Sequence, residues 1–427
     1  MAREDGTDAN WRCGQLSLCS PLVRILSVGN MYPPHHYGGY ELVWRSAVEH
    51  LRAAGHEVRV LTTDTRTGAT APDPPYVHRE LRWRLRDGEF QRLSRWARVR
   101  MARDNHDVLD RHLSDLRPQV VTWWSMGGLP LTLLESVRRR GLPAVAFVHD
   151  EWLDYGRWAD GWTSMFADRK TLAPLAERLV GIPARTDLGA AATYVFVSQC
   201  MRDHALALGL KLRHTGVAHS GIDSAFLAPA DEREWHWQLL YVGRLDPRKG
   251  VDTAVEALVH LPSDASLQIV GGWDRREEQR LRDLVLRVGV GDRVEFAGQR
   301  DREELIAVYG AADAVVFPVV WREPWGLVPL EAMGVGRPVV ATGRGGSSEY
   351  LRDGENALLF EAGDAQALAD ALRRLAGDGE LRARLRKHGL LTAARHTDSV
   401  FNEAVEAAIV AAGEPTSFVP LATRASA

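Results

Sequence analysis

Cysteine is scarce in this chain, three residues in 427 (Cys13, Cys19 and Cys200), too few to staple a small secreted fold or to build a four-thiolate zinc site. No apolar run reaches the roughly 18 residues that a membrane-spanning helix requires. An excess of one charge is missing as well. The 53 Lys and Arg stand against 56 Asp and Glu, for a formal charge of -3, which argues against a protein that tracks nucleic acid. The opening MAREDGTDANWRCGQLSLCSP has no apolar core of its own, so residues 1–22 are expected to be a disordered extension rather than a signal peptide. Cytoplasm is the expected compartment. Also absent are the GxGxxG dinucleotide fingerprint, the Walker GxxxxGK[ST] loop and a DxD pair. A diphosphate held here would therefore depend on arginine, lysine and backbone amides, with neither a bound cofactor nor a metal expected.

What is present is a rhythm. Short apolar runs alternate with helical periodicity, which predicts βαβ units on largely parallel sheets. The first series of strands is VRILSVGN (23–30), HEVRVLTTD (56–64), QVVTWWS (119–125), PAVAFVHD (143–150), ATYVFVSQ (192–199) and the weaker TGVAHSGID (215–223). Leu42, Val43, Ala47, Val48 and Leu51 recur at helical spacing and predict a helix over 41–54. After the polar LAPADEREWH the rhythm restarts with WQLLYVGRL (237–245), SLQIVGG (266–272), RVEFAGQ (293–299), DAVVFPVV (313–320), RPVVATG (337–343) and a short ALLF (357–360). Helices are expected over 249–260, 275–288, 301–311 and 326–335, and then over 364–376 and 379–411. Two series around one linker predict two α/β, doubly wound domains, 23–222 and 223–395, with a flexible tail over 413–427. Residues 79–117 stand apart: they are dense in arginine, with Trp83 and Trp96 interleaved. They read as an extra helical insertion whose arginines reach into water, the second reading being a surface for an anionic acceptor or the inner face of a membrane.

In doubly wound domains ligands bind beyond the carboxyl ends of the strands, where helix N-termini offer free N–H groups. Gly38 and Gly39 follow the first strand and precede a helix, which suits either a tight turn or a close approach to phosphate. His35 and His36, being adjacent, make no natural metal pair. His149 and Asp150 end an apolar strand; the histidine either caps the strand or orients a substrate hydroxyl. In YVGRLDPRKGVD, Gly243, Arg244 and Lys249 lie at a strand-to-helix junction, either a basic surface turn or a diphosphate site. Gly272 ends the next strand in a comparable place. WREPWGLVPLE then puts Glu323 in a strand-to-helix loop and Glu331 inside the helix, with Gly326, Leu327 and Val328 at its start. Capping alone would account for Glu323. The alternative is a mouth where N–H groups hold phosphate and a carboxylate takes hydrogen bonds from hydroxyls, a combination suited to a nucleotide sugar.

These motifs, in this order, resemble the retaining group 1 (family 4) glycosyltransferases over roughly residues 23–411. EPWGLVPLE has the family's E-x7-E form, GRLDPRKG its phosphate motif, and GRGGSSEYLRDGENALLF its GG-x-x-E and D-G-x-N segments. The resemblance implies a GT-B fold: two Rossmann-like domains facing a central cleft, with a C-terminal helix, 396–412, crossing back to the first. It implies a hexosyl transfer from a nucleoside diphosphate sugar to an acceptor hydroxyl on a small molecule, glycan or lipid carrier, in bacterial natural-product, glycolipid or surface-glycan synthesis. Arg244 and Lys249 would contact the donor diphosphate, Glu323 the sugar hydroxyls and Glu331 the ribose. Gly38, Gly39, Gly243, Gly272 and the amides of Gly326, Leu327 and Val328 would line the donor, and His149 would stand near the transferred sugar. Four positions depart from the pattern. Ala357 follows Asn356 where glycine is expected, His219 and Ser220 precede Gly221 in place of Pro-Asn, and Trp325 stands where phenylalanine is commoner. Trp325 is expected to reshape the sugar pocket, which leaves donor identity open. The competing functions are a GT-B phosphorylase, a sugar-nucleotide epimerase, and a non-catalytic nucleotide-sugar-binding protein.

Overall fold

The computed structural model describes residues 21–69, 71–86, 89–168, 170–272 and 274–414, together with the short strand Ala9–Asn10. Most of the extension expected over 1–22 and of the tail over 413–427 lies outside the described residues. The chain divides into two compact units, one of residues 1–219 and 401–427 and the other of residues 220–400.

The first unit is built on an eight-stranded parallel sheet. Across the sheet its order is Ala9–Asn10, Thr215–Val217, Thr193–Phe196, Ala144–Val148, Val120–Trp123, Arg24–Val28, Glu57–Thr63, Val77–Leu81. Val120–Trp123 and Ala144–Val148 are buried at every position, as continuous apolar runs in a parallel sheet must be when both faces are covered. The winding reverses between Arg24–Val28 and Val120–Trp123. That is the point where the loops leaving the strands diverge and open a ligand crevice.

One strand departs from expectation. Val77–Leu81 joins the sheet as an edge, although its outer half falls within the segment read as helical over 79–117. Only Arg95–Leu116 of that segment is α-helical, and Leu85–Arg86 pairs with Glu89–Phe90 as a small antiparallel ladder. The cause is compositional: His78, Arg79 and Glu80 hide the alternation of Val77 and Leu81, which are the buried ends of the strand. Trp83 is buried and donates its indole N–H to the Gly127 carbonyl at 2.8 Å, so it is a core residue, while Trp96 is exposed.

The second unit has a six-stranded parallel sheet ordered Val294–Gly298, Ser266–Val270, Gln238–Val242, Ala314–Phe317, Val339–Ala341, Leu358–Leu359. Leu239, Tyr241, Leu267 and Ile269 share one core with Val251 and Val255 of the helix Val251–Ala257, with Leu258 just beyond it, and with Leu281 and Leu284 of the helix Arg275–Arg287. The switch point lies between Gln238–Val242 and Ala314–Phe317.

The long helix expected over 379–411 is two helices, Gly379–Ala393 and Asp398–Gly413. The break has a backbone cause. The Ile222 N–H donates to the His396 carbonyl and the Asp398 N–H to the Ile222 carbonyl, both at 2.8 Å, so these groups pair across the chain instead of up the helix. From Phe401 onward the last helix belongs to the first unit. There the Glu406 carboxylate bridges His50 at 2.7 Å and His56 at 3.2 Å, and Asn402 donates to Ser46.

Candidate functional site

In the second unit the sequence candidates leave the sheet on the two loops that flank the switch point. After Gln238–Val242 come Gly243, Arg244 and the one-turn helix Pro247–Lys249. Asp246 caps that turn by accepting from the Arg248 amide at 3.0 Å and pairs with the Arg248 guanidinium at 2.6 Å. After Ala314–Phe317 come Trp321, Glu323 and then the helix Leu327–Gly334. The Val320 amide donates to the Arg248 carbonyl at 3.0 Å, which ties the two loops together.

That tie brings Lys249 onto Glu323. The ammonium donates to the Glu323 Oε2 at 2.7 Å, with the two side chains 14% and 10% exposed. The same oxygen accepts from the Trp321 indole N–H at 2.8 Å, and the Arg248 guanidinium lies 4.3 Å over the Trp321 ring. The backbone of Glu323 is fixed from a third segment. The Gly346 amide donates to its carbonyl at 2.7 Å, and Gly345 pairs with it in a parallel bridge. Gly345 has φ of 72°, and a Cβ there would lie 2.3 Å from the Glu323 carbonyl oxygen, so glycine is required. The GRGG motif thus acts as the clamp on Glu323.

Gly326 enters the helix with φ of 88°, and its carbonyl accepts from the Tyr350 hydroxyl at 2.5 Å. The first amides of a helix have no partner within it, so Leu327 and Val328 direct N–H groups out of the N-terminus, and Pro329 has none to lose. Glu331 lies within this helix and accepts from the Tyr309 hydroxyl at 2.7 Å. Burial raises its pKa, and that hydrogen bond acts in the opposite direction. Glu323 therefore sits on the loop and Glu331 on the helix, and each is steered by an aromatic donor. Gly272 is half-buried after Ser266–Val270, and its carbonyl accepts from the Leu245 amide at 3.3 Å, next to the basic turn.

Trp325 does not shape a pocket as expected. It is 3% exposed, its indole N–H donates to the Ser220 carbonyl at 2.8 Å, and its ring packs on Tyr350 at 4.9 Å and His396 at 5.5 Å. It rivets the helix entry to the HSGID segment.

In the first unit, Gly38 is the N-cap of a helix that starts at Gly39, two residues earlier than expected, and its amide is held by the Glu41 carboxylate at 3.1 Å. His149 follows Ala144–Val148. Its ring is stacked on Trp124 at 5.7 Å, lies 5.1 Å from Tyr40 and meets the edge of Phe401 at 5.6 Å. Loss of hydration among these rings lowers its pKa to about 4, so the imidazole is neutral at neutral pH. Tyr40 joins the start of the helix to His149. Asp150 accepts from Ser125, Tyr155 and the Trp152 amide at 3.0–3.1 Å, so both its oxygens are engaged just ahead of the helix Trp152–Ala159. His35 takes the Thr67 amide at 3.1 Å and lies 3.2 Å from the Arg66 guanidinium, both contacts of a structural residue.

Sequence reasoning missed Trp321, Tyr309, Tyr350 and the action of Gly345 and Gly346. Trp321 stood two positions before Glu323, where a donor on an irregular loop can reach back. Tyr309 and Tyr350 lie 22 and 24 residues from their partners and leave no local signal.

Comparison with known proteins gives two family matches. Residues 228–391 match the family described as "Glycosyl transferases group 1", and residues 37–226 match "Glycosyltransferase Family 4". Among curated relatives, the chain is 36% identical over 203 residues to the D-inositol 3-phosphate glycosyltransferase of Acidothermus cellulolyticus, covering 43% of this chain and 45% of that one. It is 38% identical over 152 residues to the lipopolysaccharide core biosynthesis glycosyltransferase LpsE of Rhizobium meliloti, covering 35% and 43%. The chain thus spans less than half the length of these relatives. Among solved structures, it superposes on a sucrose-phosphate synthase from Thermosynechococcus elongatus with a TM-score of 0.69 at 24% identity, over 90% of this chain and 97% of that one. It superposes on Anabaena HepE in complex with UDP-glucose with a TM-score of 0.64 at 20% identity, over 90% and 99%. At such identities the likeness establishes the fold, which is GT-B.

Proposed function

We infer, from the matches of residues 228–391 and 37–226 to glycosyltransferase families, that the chain moves a hexosyl group from a nucleoside diphosphate sugar to an acceptor hydroxyl with retention of anomeric configuration. The observation that carries this reading is the Lys249–Glu323 contact of 2.7 Å in front of the helix Leu327–Gly334. It joins a cation, a carboxylate and a helix N-terminus, and a nucleotide sugar uses all three. Lys249 gives one of its three N–H donors to Glu323 and keeps two for a phosphate oxygen. Arg244 and the amides of Gly326, Leu327 and Val328 add to this, and the group stabilises the charge that grows on the departing diphosphate. Glu323, held by Trp321 and Lys249, accepts from donor sugar hydroxyls. Glu331 accepts from the ribose with the oxygen that Tyr309 leaves uncovered.

Glu323 is not a nucleophile in this reading. A double-displacement pair of carboxylates requires both groups at the anomeric carbon, and Glu331 is engaged with Tyr309 inside the helix. A phosphate oxygen of the leaving group takes the acceptor proton on the same face as departure. His149, being neutral, orients a hydroxyl of the transferred sugar or of the acceptor. No helix among the described residues is long and apolar enough to cross a membrane. The acceptor is a small molecule, a glycan or a lipid-linked saccharide of a bacterial pathway.

The test is a panel of UDP-, GDP- and TDP-sugars, beginning with UDP-glucose, with acceptors drawn from inositol phosphates and saccharides. Released nucleoside diphosphate is read by mass spectrometry, and the anomeric configuration of the product by NMR. Turnover with retained configuration supports the reading; donor binding with no transfer to any acceptor, or an inverted product, overturns it.

A further inference from the structure

The edge strand that the arginine-rich segment concealed carries a second cluster of chemistry. His78 and Glu80 alternate with the buried Val77 and Leu81, so they share the opposite face of the strand. Above that face lies the helix Arg95–Leu116. Asn105 pins this helix, accepting from the Arg82 amide at 2.7 Å and donating to the Arg82 carbonyl at 3.0 Å. Two turns further, about 10 Å along the same face, the helix presents His112. The Glu80 Oε1 stands 3.4 Å from the His78 Nδ1 and 3.4 Å from the His112 Nε2. One ligand atom from each of the three residues falls within 4.8 Å of the others.

We propose that His78, Glu80 and His112 form a divalent-cation site of zinc type, with two imidazole nitrogens, one carboxylate oxygen and a water. Tetrahedral coordination at about 2.1 Å places neighbouring donor atoms about 3.4 Å apart, the separation found on both sides of the Glu80 oxygen. The two imidazoles need only close toward each other. Two nitrogens and one oxygen are a donor set of the borderline class that favours zinc over magnesium or calcium. The outer contacts suit this role in part. Arg111 pairs with the Glu80 Oε2, which leaves Oε1 to the two rings. The Arg59 Nη1 lies 3.3 Å from the His112 Nδ1 and acts against it, since ligation through Nε2 puts the ring proton on Nδ1. A bound ion would clip the edge strand to the helix that covers it, in the segment where the chain is richest in arginine. The site uses none of the residues assigned to glycosyl transfer and stands or falls apart from that reading.

Untagged full-length protein, stripped with chelator, is titrated with Co2+ and followed by its visible d–d bands, then with Zn2+ in competition with a chromophoric chelator. One equivalent is expected to bind with tetrahedral-intensity bands and to raise the thermal unfolding midpoint. His78→Ala, Glu80→Gln and His112→Asn should each weaken binding at least about tenfold, with far-UV circular dichroism unchanged. Arg59→Gln should tighten it severalfold, an effect that a plain His–Glu–Arg ion-pair network would not produce. His78, with a third of its side chain exposed, carries the test if His112→Asn does not fold. The proposal is overturned if no one-equivalent tetrahedral species forms, or if a His78→Ala/His112→Asn double variant gives the same isotherm as the parent.

Discussion

Lys249 and Glu323 are 74 residues apart in the chain and 2.7 Å apart in space, on the two loops that flank the switch point of the second sheet. Neither residue makes a site alone. A solitary lysine on a turn is solvated, and a solitary glutamate at a helix entrance is a cap. Held together and nearly out of water, they fix each other's geometry.

Removing either partner should therefore cost more than a surface charge would. Lys249→Ala and Glu323→Gln are each expected to lower kcat/KM for donor turnover by about 10²–10³-fold while the fold is kept. Steady-state release of nucleoside diphosphate measures this. Parent-like kinetics in Glu323→Gln would remove the residue from the site.

Trp321→Phe keeps a ring beneath Arg248 and deletes the indole N–H bonded to the Glu323 carboxylate. A loss of about tenfold in kcat is expected, consistent with one hydrogen bond to a charged group at about 1.5 kcal/mol. The thermal midpoint should not move. A fall in stability with unchanged kcat would make Trp321 a packing residue.

Trp325→Phe should behave in the opposite way. It removes the N–H donated to the buried Ser220 carbonyl, a hydrogen bond worth about 0.5–1.5 kcal/mol. A lower unfolding midpoint with an unchanged donor KM is the expected pair of results. A changed donor preference would return Trp325 to the sugar pocket.

Burial lowers the pKa of both His149 and His106 to about 4, from an ordinary value of 6.5. The unfolded chain takes up protons on these rings first, so the stability they contribute is complete above pH 6.5 and declines as pH falls toward 4. His106→Gln, at a residue bonded to Thr132 and Ser136 and remote in sequence from the candidate loops, should flatten the loss of stability between pH 7 and pH 5. Urea unfolding at three pH values reads the slope; an unchanged slope would contradict the assignment. In the pH–rate profile no limb near 6.5 should belong to His149.

Much of this architecture was legible before folding was considered. The apolar runs 119–125 and 143–150 predicted buried parallel strands, and the end of the second located His149. The order of GRLDPRKG, EPWGLVPLE and GRGGSSEYL fixed which loops carry cations, carboxylates and close-packed glycines. Where reading failed, the cause was local masking or distant pairing. Polar His78, Arg79 and Glu80 disguised an edge strand as part of a helix. The helix expected over 379–411 broke because its backbone groups at His396 and Asp398 pair with Ile222, a partner that no helical periodicity can announce.

The sequence by itself determined the class of fold and the inventory of groups at the strand ends, because burial periodicity and turn chemistry are properties of short segments. Tertiary structure alone decided which groups meet. It set Lys249 against Glu323, Trp321 behind that pair, Trp325 into Ser220 instead of a pocket, and His112 over His78 and Glu80. Those outcomes depend on hydrogen bonds and packing between segments tens of residues apart, where a shift of a few ångströms separates a contact from its absence.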